Sequence, residues 1–296
     1  MIRNFIKNNN LKYLENVSLR KYNTYRLDTV ADFVVFPDNV DELILLIKYL
    51  RENNIRYLVL GNGSNIIFKN NVFKGVIIKL NNFDYVDLNN DVVRVGAGYS
   101  LVRLSMDTAN MSLSGLEFAS GIPGEVGAST AMNAGAYNSS LSDVVTRVKV
   151  LTPGLEVIEL ENKDLDFSYR HSFFKDNKDY IILEVEMKLI PARREDILEL
   201  IKSRRERRMT TQPLDYPSAG SVFRNPDSMP AGKLIENCGL KGYGLNGIEV
   251  SNKHANFIIN KDNGNGQDIV SLIELIKDKV KEKYKVELIL EQEIIE

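Results

Sequence analysis

The run Gly121-Ile122-Pro123-Gly124-Glu125-Val126-Gly127-Ala128-Ser129-Thr130-Ala131-Met132-Asn133-Ala134-Gly135-Ala136-Tyr137 decides how this chain folds. It opens on a turn that Pro123 fixes, because the pyrrolidine ring locks φ. The small residues after Gly127 let a helix start close against something large. A helix N-terminus with free N–H groups suits a pyrophosphate. The plainer alternative is a small-residue helix packed tightly on a sheet.

Upstream, Gly61-Asn62-Gly63-Ser64-Asn65 follows an apolar run. Glycines there permit positive φ and let backbone N–H groups approach an anion. The spacing is not the Rossmann fingerprint, since Ile66 stands where the third glycine belongs, and no Gly-Lys-Ser/Thr follows to make a P-loop. The plainer reading is a tight turn. Two such loops together point to a dinucleotide cofactor, and their spacing points away from NAD in a Rossmann domain.

Around these loops the hydrophobic pattern alternates between strand and helix. Val34-Val35-Phe36 reads as a strand ended by Pro37. Asp38 is expected to cap a helix whose apolar face is Val40, Leu43, Ile44, Ile47 and Leu50. Ile55 to Leu60 reads as a buried strand, completing a βαβ unit with a right-handed crossover and a parallel pair. Val76 to Leu80 and Val92 to Val95 are further strands, with a helix at Leu101 to Met111. Beyond the glycine-rich stretch, Val144 to Leu151, Glu156 to Leu160 and Tyr180 to Ile190 read as an antiparallel sheet. A polar helix, Arg194 to Arg208, marks a boundary. After it come a strand at Asn256 to Asn260, an amphipathic helix at Gln267 to Tyr284 and a last strand starting at Val286.

Composition narrows the function. The chain has 296 residues, a formal net charge of −2, one cysteine and two histidines. That length implies two or three packed domains. Near-neutral charge gives no field for nucleic acid or an anionic membrane. One cysteine excludes an intrachain disulfide and fits a reducing compartment. Two histidines argue against a zinc site and weaken a Ser-His-Asp scheme. Ile2, Phe5 and Ile6 alternate with polar residues, so no signal peptide is expected, and no run of roughly 18 apolar residues suggests a membrane span. The expected location is the cytoplasm, with no nucleic-acid partner, no membrane partner and no metal. The basic residues Arg204, Arg205, Arg207 and Arg208 read as a helix C-terminus facing its dipole.

The two loops, together with Tyr169-Arg170-His171-Ser172, Ser218-Ala219-Gly220-Ser221-Val222-Phe223-Arg224-Asn225-Pro226 and Lys253-His254-Ala255-Asn256-Phe257-Ile258-Ile259-Asn260, resemble the motifs of UDP-N-acetylenolpyruvoylglucosamine reductases. The resemblance runs from about Thr24 to Glu291. The chain departs from the family pattern at Asp28-Thr29, where a glycine pair is usual, and at Ala128, where a second glycine is usual. Its ending around Glu291 is also less regular.

The resemblance implies an α+β fold of the vanillyl-alcohol-oxidase-like (PCMH-type) kind. An FAD-binding region would span 1–192, in two subdomains of about 1–80 and 81–192. An α/β substrate-binding domain would span 193–296. Length and the absence of an insertion fit the shorter type II form. The implied activity is NADPH-dependent reduction of UDP-N-acetylglucosamine enolpyruvate through bound FAD, by a chain expected to be a monomer. FAD contacts are implied at Gly61, Asn62, Gly63, Ser64, Asn65, Gly121, Ile122, Pro123, Gly124, Gly127, Ala128, Ser129, Asn133, Gly135 and Ala136. An FAD oxidase of the same fold and a non-catalytic nucleotide-sugar binding protein are the rival readings.

The implied reaction develops negative charge on the substrate carboxylate and needs a proton at the adjacent carbon. Arg170 suits the charge, because a guanidinium stays ionised and can grip a carboxylate with two donors; its plainer reading is a salt bridge to an acid such as Asp166. Ser221, beside Gly220, suits proton donation, against the plainer reading of a turn-capping serine. Glu291 is selected by the family's closing motif from among Glu287, Glu293 and Glu296. Lys233, Lys253, His254, Asn225 and Asn256 are candidates for the diphosphate or uridine, with a solvated surface as the alternative for each, and Tyr169 is a further substrate candidate.

Overall fold

The computed structural model describes residues 2–296. They form two compact units, each discontinuous in sequence: one comprises residues up to Glu15, Phe33–Asn62 and Gly75–Glu206, the other Asn16–Asp32, Gly63–Lys74 and Arg207–Glu296. This partition does not follow a single cut at 192/193. Within the second unit, Glu293–Ile295 pairs in parallel with Ile66–Phe68, and the Tyr25 hydroxyl donates to Gln292. Two early segments are thereby tied to the C-terminal part of the chain.

In the first unit the helix Val40–Glu52 buries Leu43, Leu46, Ile47 and Leu50. Its cap is Asn39, whose side chain accepts from Glu42 N–H at 2.9 Å, and not Asp38 as expected. Asp38 is engaged otherwise: its carboxylate takes the Lys12 ammonium at 2.8 Å, and its N–H donates to Glu42 Oε2. The expected βαβ unit is also modified. Val72–Ile78 lies between Val30–Phe36 and Tyr57–Val59 in the sheet, so the two strands flanking the helix are not neighbours. Val76, Ile77 and Ile78 are all fully buried, and such a doubly covered run favours a central strand with parallel pairing, here to Tyr57–Val59.

The three expected antiparallel strands are present, and two more not expected beside them extend the sheet, in the order Val157–Glu161, Val145–Leu151, Ile181–Lys188, Val92–Gly96, Val86–Asn89. Val148, Val150, Val185, Met187, Val93 and Val95 supply its buried face. The helix Leu101–Asn110 starts at Ser100, whose hydroxyl accepts from Arg103 N–H.

In the second unit the helix Gly266–Tyr284 begins with a capping box between Asn265 and Asp268. It buries Ile269, Leu272, Ile273, Ile276 and Val280, the stripe its spacing predicts. The final strand is shorter than expected and comprises Glu293–Ile295. The segment before it forms an isolated bridge, Phe223↔Leu290, rather than a ladder.

Candidate functional site

The first unit joins the two glycine loops at three points. Asn62 Nδ2 donates to the Pro123 carbonyl at 2.7 Å. A Cβ on Gly61 would stand 2.7 Å from Ala128 Cβ, so glycine here lets the loop meet the helix Val126–Ala131 at this seam. Beneath them, Lys79 Nζ donates to the Gly61 carbonyl and to Glu125 Oε1, both at 2.7 Å. The Lys79 side chain is 4% exposed and that of Glu125 16%, so the pair lies away from water. Burial pushes the Glu125 carboxyl up, and the attraction and hydrogen bond of Lys79 oppose the rise.

The short helix Val126–Ala131 does not offer the free N-terminus expected of it. Val126 N–H donates to Tyr99 O and Gly127 N–H to Ala97 O, each at 2.9 Å. A Cβ on Gly127 would lie 2.7 Å from Ala97 Cβ, so this glycine serves close packing on the sheet. A Cβ on Gly124 would collide with the Ser129 hydroxyl. What remains open is the seam itself. Asn62, Pro123 and Ala128 are exposed there, beside backbone that carries no Cβ at Gly61 or Gly124. Exposed residues set beside glycine backbone in this way fit a dinucleotide phosphate lying on main chain. Gly63, Ser64 and Asn65 fall in the second unit. Gly63 has φ +61, and a Cβ on it would collide with the Tyr22 carbonyl, which makes it a tight-turn glycine.

Farther along, Asn133 is buried. Its side chain donates to Ser168 O at 2.9 Å and accepts from Ser142 N–H at 3.0 Å, which ties the small-residue run to the turn carrying Arg170. That turn is closed by Ser168 and His171, which exchange both backbone hydrogen bonds at 3.1 Å. Arg170 occupies its third position with φ +56, a conformation that favours glycine or asparagine. Its guanidinium donates to Gly135 O at 2.7 Å and its carbon lies 5.0 Å from the Tyr169 ring centroid. Tyr169 is 55% exposed. Asp166, the acid named in the plainer reading, has its carboxylate 3.7 Å from His171 Nε2.

The second unit brings Ser221 and Glu291 onto facing segments. Glu291 N–H donates to Val222 O at 2.8 Å and Arg224 N–H to Ile289 O at 2.9 Å, so the two segments run antiparallel. Asn256 clamps the same stretch from the other side. Its carbonyl accepts from Val222 N–H, its Oδ1 accepts from Phe223 N–H at 3.0 Å, and its Nδ2 donates to Phe223 O at 2.8 Å. Asn256 is 3% exposed and acts here as a backbone brace. Asn225 Oδ1 receives the N–H of Ala231 at the start of the helix Ala231–Asn237. His254 Nδ1 accepts from Asn256 N–H at 3.2 Å, which leaves the ring proton on Nε2. Burial holds the His254 pKa below its ordinary value, so the ring is neutral at neutral pH. Lys233 Nζ lies 3.4 Å from Glu236, and Lys253 Nζ donates to Met209 O.

Two further residues belong with these groups and do not stand out in the sequence. Lys79 carries one signal, a lysine inside the apolar run Val76-Ile77-Ile78-Lys79-Leu80. Gln292 is 3% exposed, and its Nε2 faces the carbonyls of Ala219, Gly220 and Ser221 at 3.0, 3.3 and 3.4 Å. Its only signal is alternation, which puts it on the opposite side of an extended segment from Glu291 and Glu293.

Comparison with known proteins identifies two domains in the chain. An FAD binding domain model matches residues 31–161, and the model for the UDP-N-acetylenolpyruvoylglucosamine reductase C-terminal domain matches residues 212–295. The UDP-N-acetylenolpyruvoylglucosamine reductase of Caldanaerobacter subterraneus subsp. tengcongensis is 41% identical over 280 residues, covering 95% of this chain and 92% of the relative. That of Bacillus subtilis is 37% identical over 285 residues, covering 96% and 94%. The crystal structure of the UDP-N-acetylenolpyruvylglucosamine reductase from Thermus caldophilus superposes with a TM-score of 0.82 at 30% identity, over 97% of this chain and 99% of that one. The fold is therefore α+β with a vanillyl-alcohol-oxidase-like FAD-binding region, and the second glycine run and the Ser221 stretch fall inside the matched domains. The chain belongs to the UDP-N-acetylenolpyruvoylglucosamine reductase family.

Proposed function

We propose that this chain reduces UDP-N-acetylglucosamine enolpyruvate to UDP-N-acetylmuramate with NADPH and FAD, a step in making peptidoglycan precursors. The observation that carries the reading is similarity to reductases of this name over nearly the whole chain, with both domain models in place. Bound FAD would supply hydride transfer between NADPH and the vinyl carbon of the substrate.

The remaining work falls to protein groups. Arg170, held at positive φ in an exposed turn, is assigned to the substrate carboxylate, where a planar cation opposes developing charge. The Ser221 hydroxyl is assigned to deliver a proton from Oγ to the carbon next to that carboxylate. Glu291, whose backbone is bonded to Val222, is assigned to hydrogen-bond the same charge. The glycine loops of Gly61–Asn65 and Gly121–Ala136 hold the cofactor, within a flavin region at 1–192. Tyr169, Asn225, Lys233, Lys253, His254 and Asn256 are assigned to the substrate and its immediate support, the last five within a substrate domain at 193–296. Among the described residues no helix is long and apolar enough to cross a membrane, and we place the reaction in the cytoplasm with the chain acting as a monomer.

The test is direct. The purified protein should be yellow, and acid should release the flavin. NADPH should bleach it without oxygen, and the enolpyruvyl sugar nucleotide should restore the colour. Initial rates should give parallel lines if the two substrates take turns at one flavin face. A colourless protein that does not take up FAD overturns the reading. Flavin that stays covalently attached in acid turns it toward an oxidase.

A further inference from the structure

Three consecutive carbonyls, those of Ala219, Gly220 and Ser221, face one buried amide, Gln292 Nε2, at 3.0, 3.3 and 3.4 Å. The orientation of that amide is fixed from its far end. Tyr25, fully buried, donates its hydroxyl to Gln292 Oε1 at 3.0 Å, which leaves the NH2 for the carbonyls. Every peptide bond here is trans, and in a planar trans peptide the C=O and the next N–H point opposite ways. Carbonyls gathered on Gln292 therefore turn the N–H groups of Gly220, Ser221 and Val222 to the other side. The N–H of Val222 is taken there by Asn256 O at 2.9 Å. Among the described residues, the N–H groups of Gly220 and Ser221 meet no protein acceptor. Gly220 sits at φ +76, and a Cβ on it would find nothing within 4 Å, so open space lies beside it.

We infer that Gln292 is a positioning residue: it turns the Gly220 and Ser221 peptide units so that their N–H groups form a donor pair for an anionic oxygen beside the Ser221 hydroxyl. The inference rests on the assignment of Ser221 as proton donor and names the oxygen as one of the substrate carboxylate. Two amides held by a buried side chain are preorganised dipoles, which stabilise charge as it develops without reorganising. These amides carry no ionisable group.

The experiment compares Gln292→Met, Tyr25→Phe and Ser221→Ala as flavin-loaded proteins. Rapid mixing reads reduction by NADPH and reoxidation by the enolpyruvyl substrate separately. Gln292→Met keeps the length of the side chain and removes both the donors and the acceptor. It should slow reoxidation at least about tenfold, given that a single lost oxyanion donor typically costs about 10²–10³ in rate. The loss should lie in the rate constant, with substrate affinity changed less than about threefold, because charge-selective contacts act mainly in the transition state. Reduction by NADPH should be unchanged. The pH profile of reoxidation should keep its shape, since a backbone amide does not titrate. Tyr25→Phe should show the same pattern more weakly, and it supplies the test should Gln292→Met fail to hold flavin. Equal slowing of both half-reactions overturns the inference in favour of a structural role. So does unchanged reoxidation in Gln292→Met where Ser221→Ala is slow. Unchanged reoxidation in Ser221→Ala instead removes Ser221 from its assigned role and takes this inference with it.

Discussion

Lys79 Nζ and Glu125 Oε1 stand 2.7 Å apart, and the same ammonium reaches the Gly61 carbonyl, so one buried cation holds both glycine loops. Removing one partner of a buried pair leaves the other charge uncompensated, typically a loss of about 3–5 kcal/mol. Lys79→Met should therefore lower the melting temperature and weaken FAD retention, as read by calorimetry and by flavin fluorescence on dilution. The deficit should depend on pH. Burial already raises the Glu125 pKa, and removing Lys79 takes away the two influences that lower it. A carboxyl whose folded pKa exceeds its unfolded value favours the folded state in acid and loses that advantage as pH rises. The gap between wild type and Lys79→Met should thus narrow from pH 8 toward pH 5. A gap that is constant across this range would mean that Glu125 does not feel the lost charge.

Gly61 and Ala128 make a second pair whose fit can be exchanged. Gly61→Ala puts a methyl 2.7 Å from Ala128 Cβ, and overpacking of this kind typically costs about 1–3 kcal/mol. FAD affinity should fall with it. In Gly61→Ala/Ala128→Gly the clash is gone, and flavin binding should recover most of the loss by titration. No recovery would locate the constraint in backbone approach to the ligand rather than in the seam.

Arg170 offers a test of strain held for function. Its φ of +56 is a conformation that asparagine tolerates better. Arg170→Asn should leave the melting temperature within a few degrees of wild type, while turnover falls by about 10² or more through loss of charge stabilisation. Arg170→Lys keeps a charge without the planar fork and should also lose strongly, with reduction by NADPH intact. Near-normal turnover in either folded variant would return Arg170 to a structural role.

Ser221→Ala separates the halves of the reaction. General acid catalysis is worth about 10²–10⁴-fold, so reoxidation by the substrate should slow by that range while reduction by NADPH is spared. Ser221→Cys should recover part of it. Equal slowing of both halves would make the residue a flavin-positioning group.

Glu291 and Glu293 lie two apart in an extended segment, on one side of it, and both are half-buried. Glu291 is joined to Val222 through its N–H, and Glu293 to Asn65 O at 2.9 Å. Glu291→Gln should reduce turnover more than Glu293→Gln at equal flavin content. The reverse ranking transfers the carboxyl's role two residues along the strand.

Read alone, the sequence determined the strand and helix periods, three of the five strands of the antiparallel sheet, the long helix Gly266–Tyr284, the two glycine loops and the family. Each of these rests on local spacing or on short motifs, where neighbours in sequence are neighbours in space. Tertiary structure decided the rest. It inserted Val72–Ile78 between the strands of the expected βαβ unit, where its second half, Val76 to Ile78, is buried on both faces as a central strand is. It gave the N–H groups of Val126 and Gly127 to Tyr99 and Ala97, which a motif could not announce. It made Asn256 a brace for Phe223, set Lys79 under Gly61 and Glu125, and placed Gln292 behind Ala219, Gly220 and Ser221. In every such case the partners lie far apart in the chain. A buried polar group must find its hydrogen bonds wherever folding brings them, and periodicity along the chain carries no record of which groups those are.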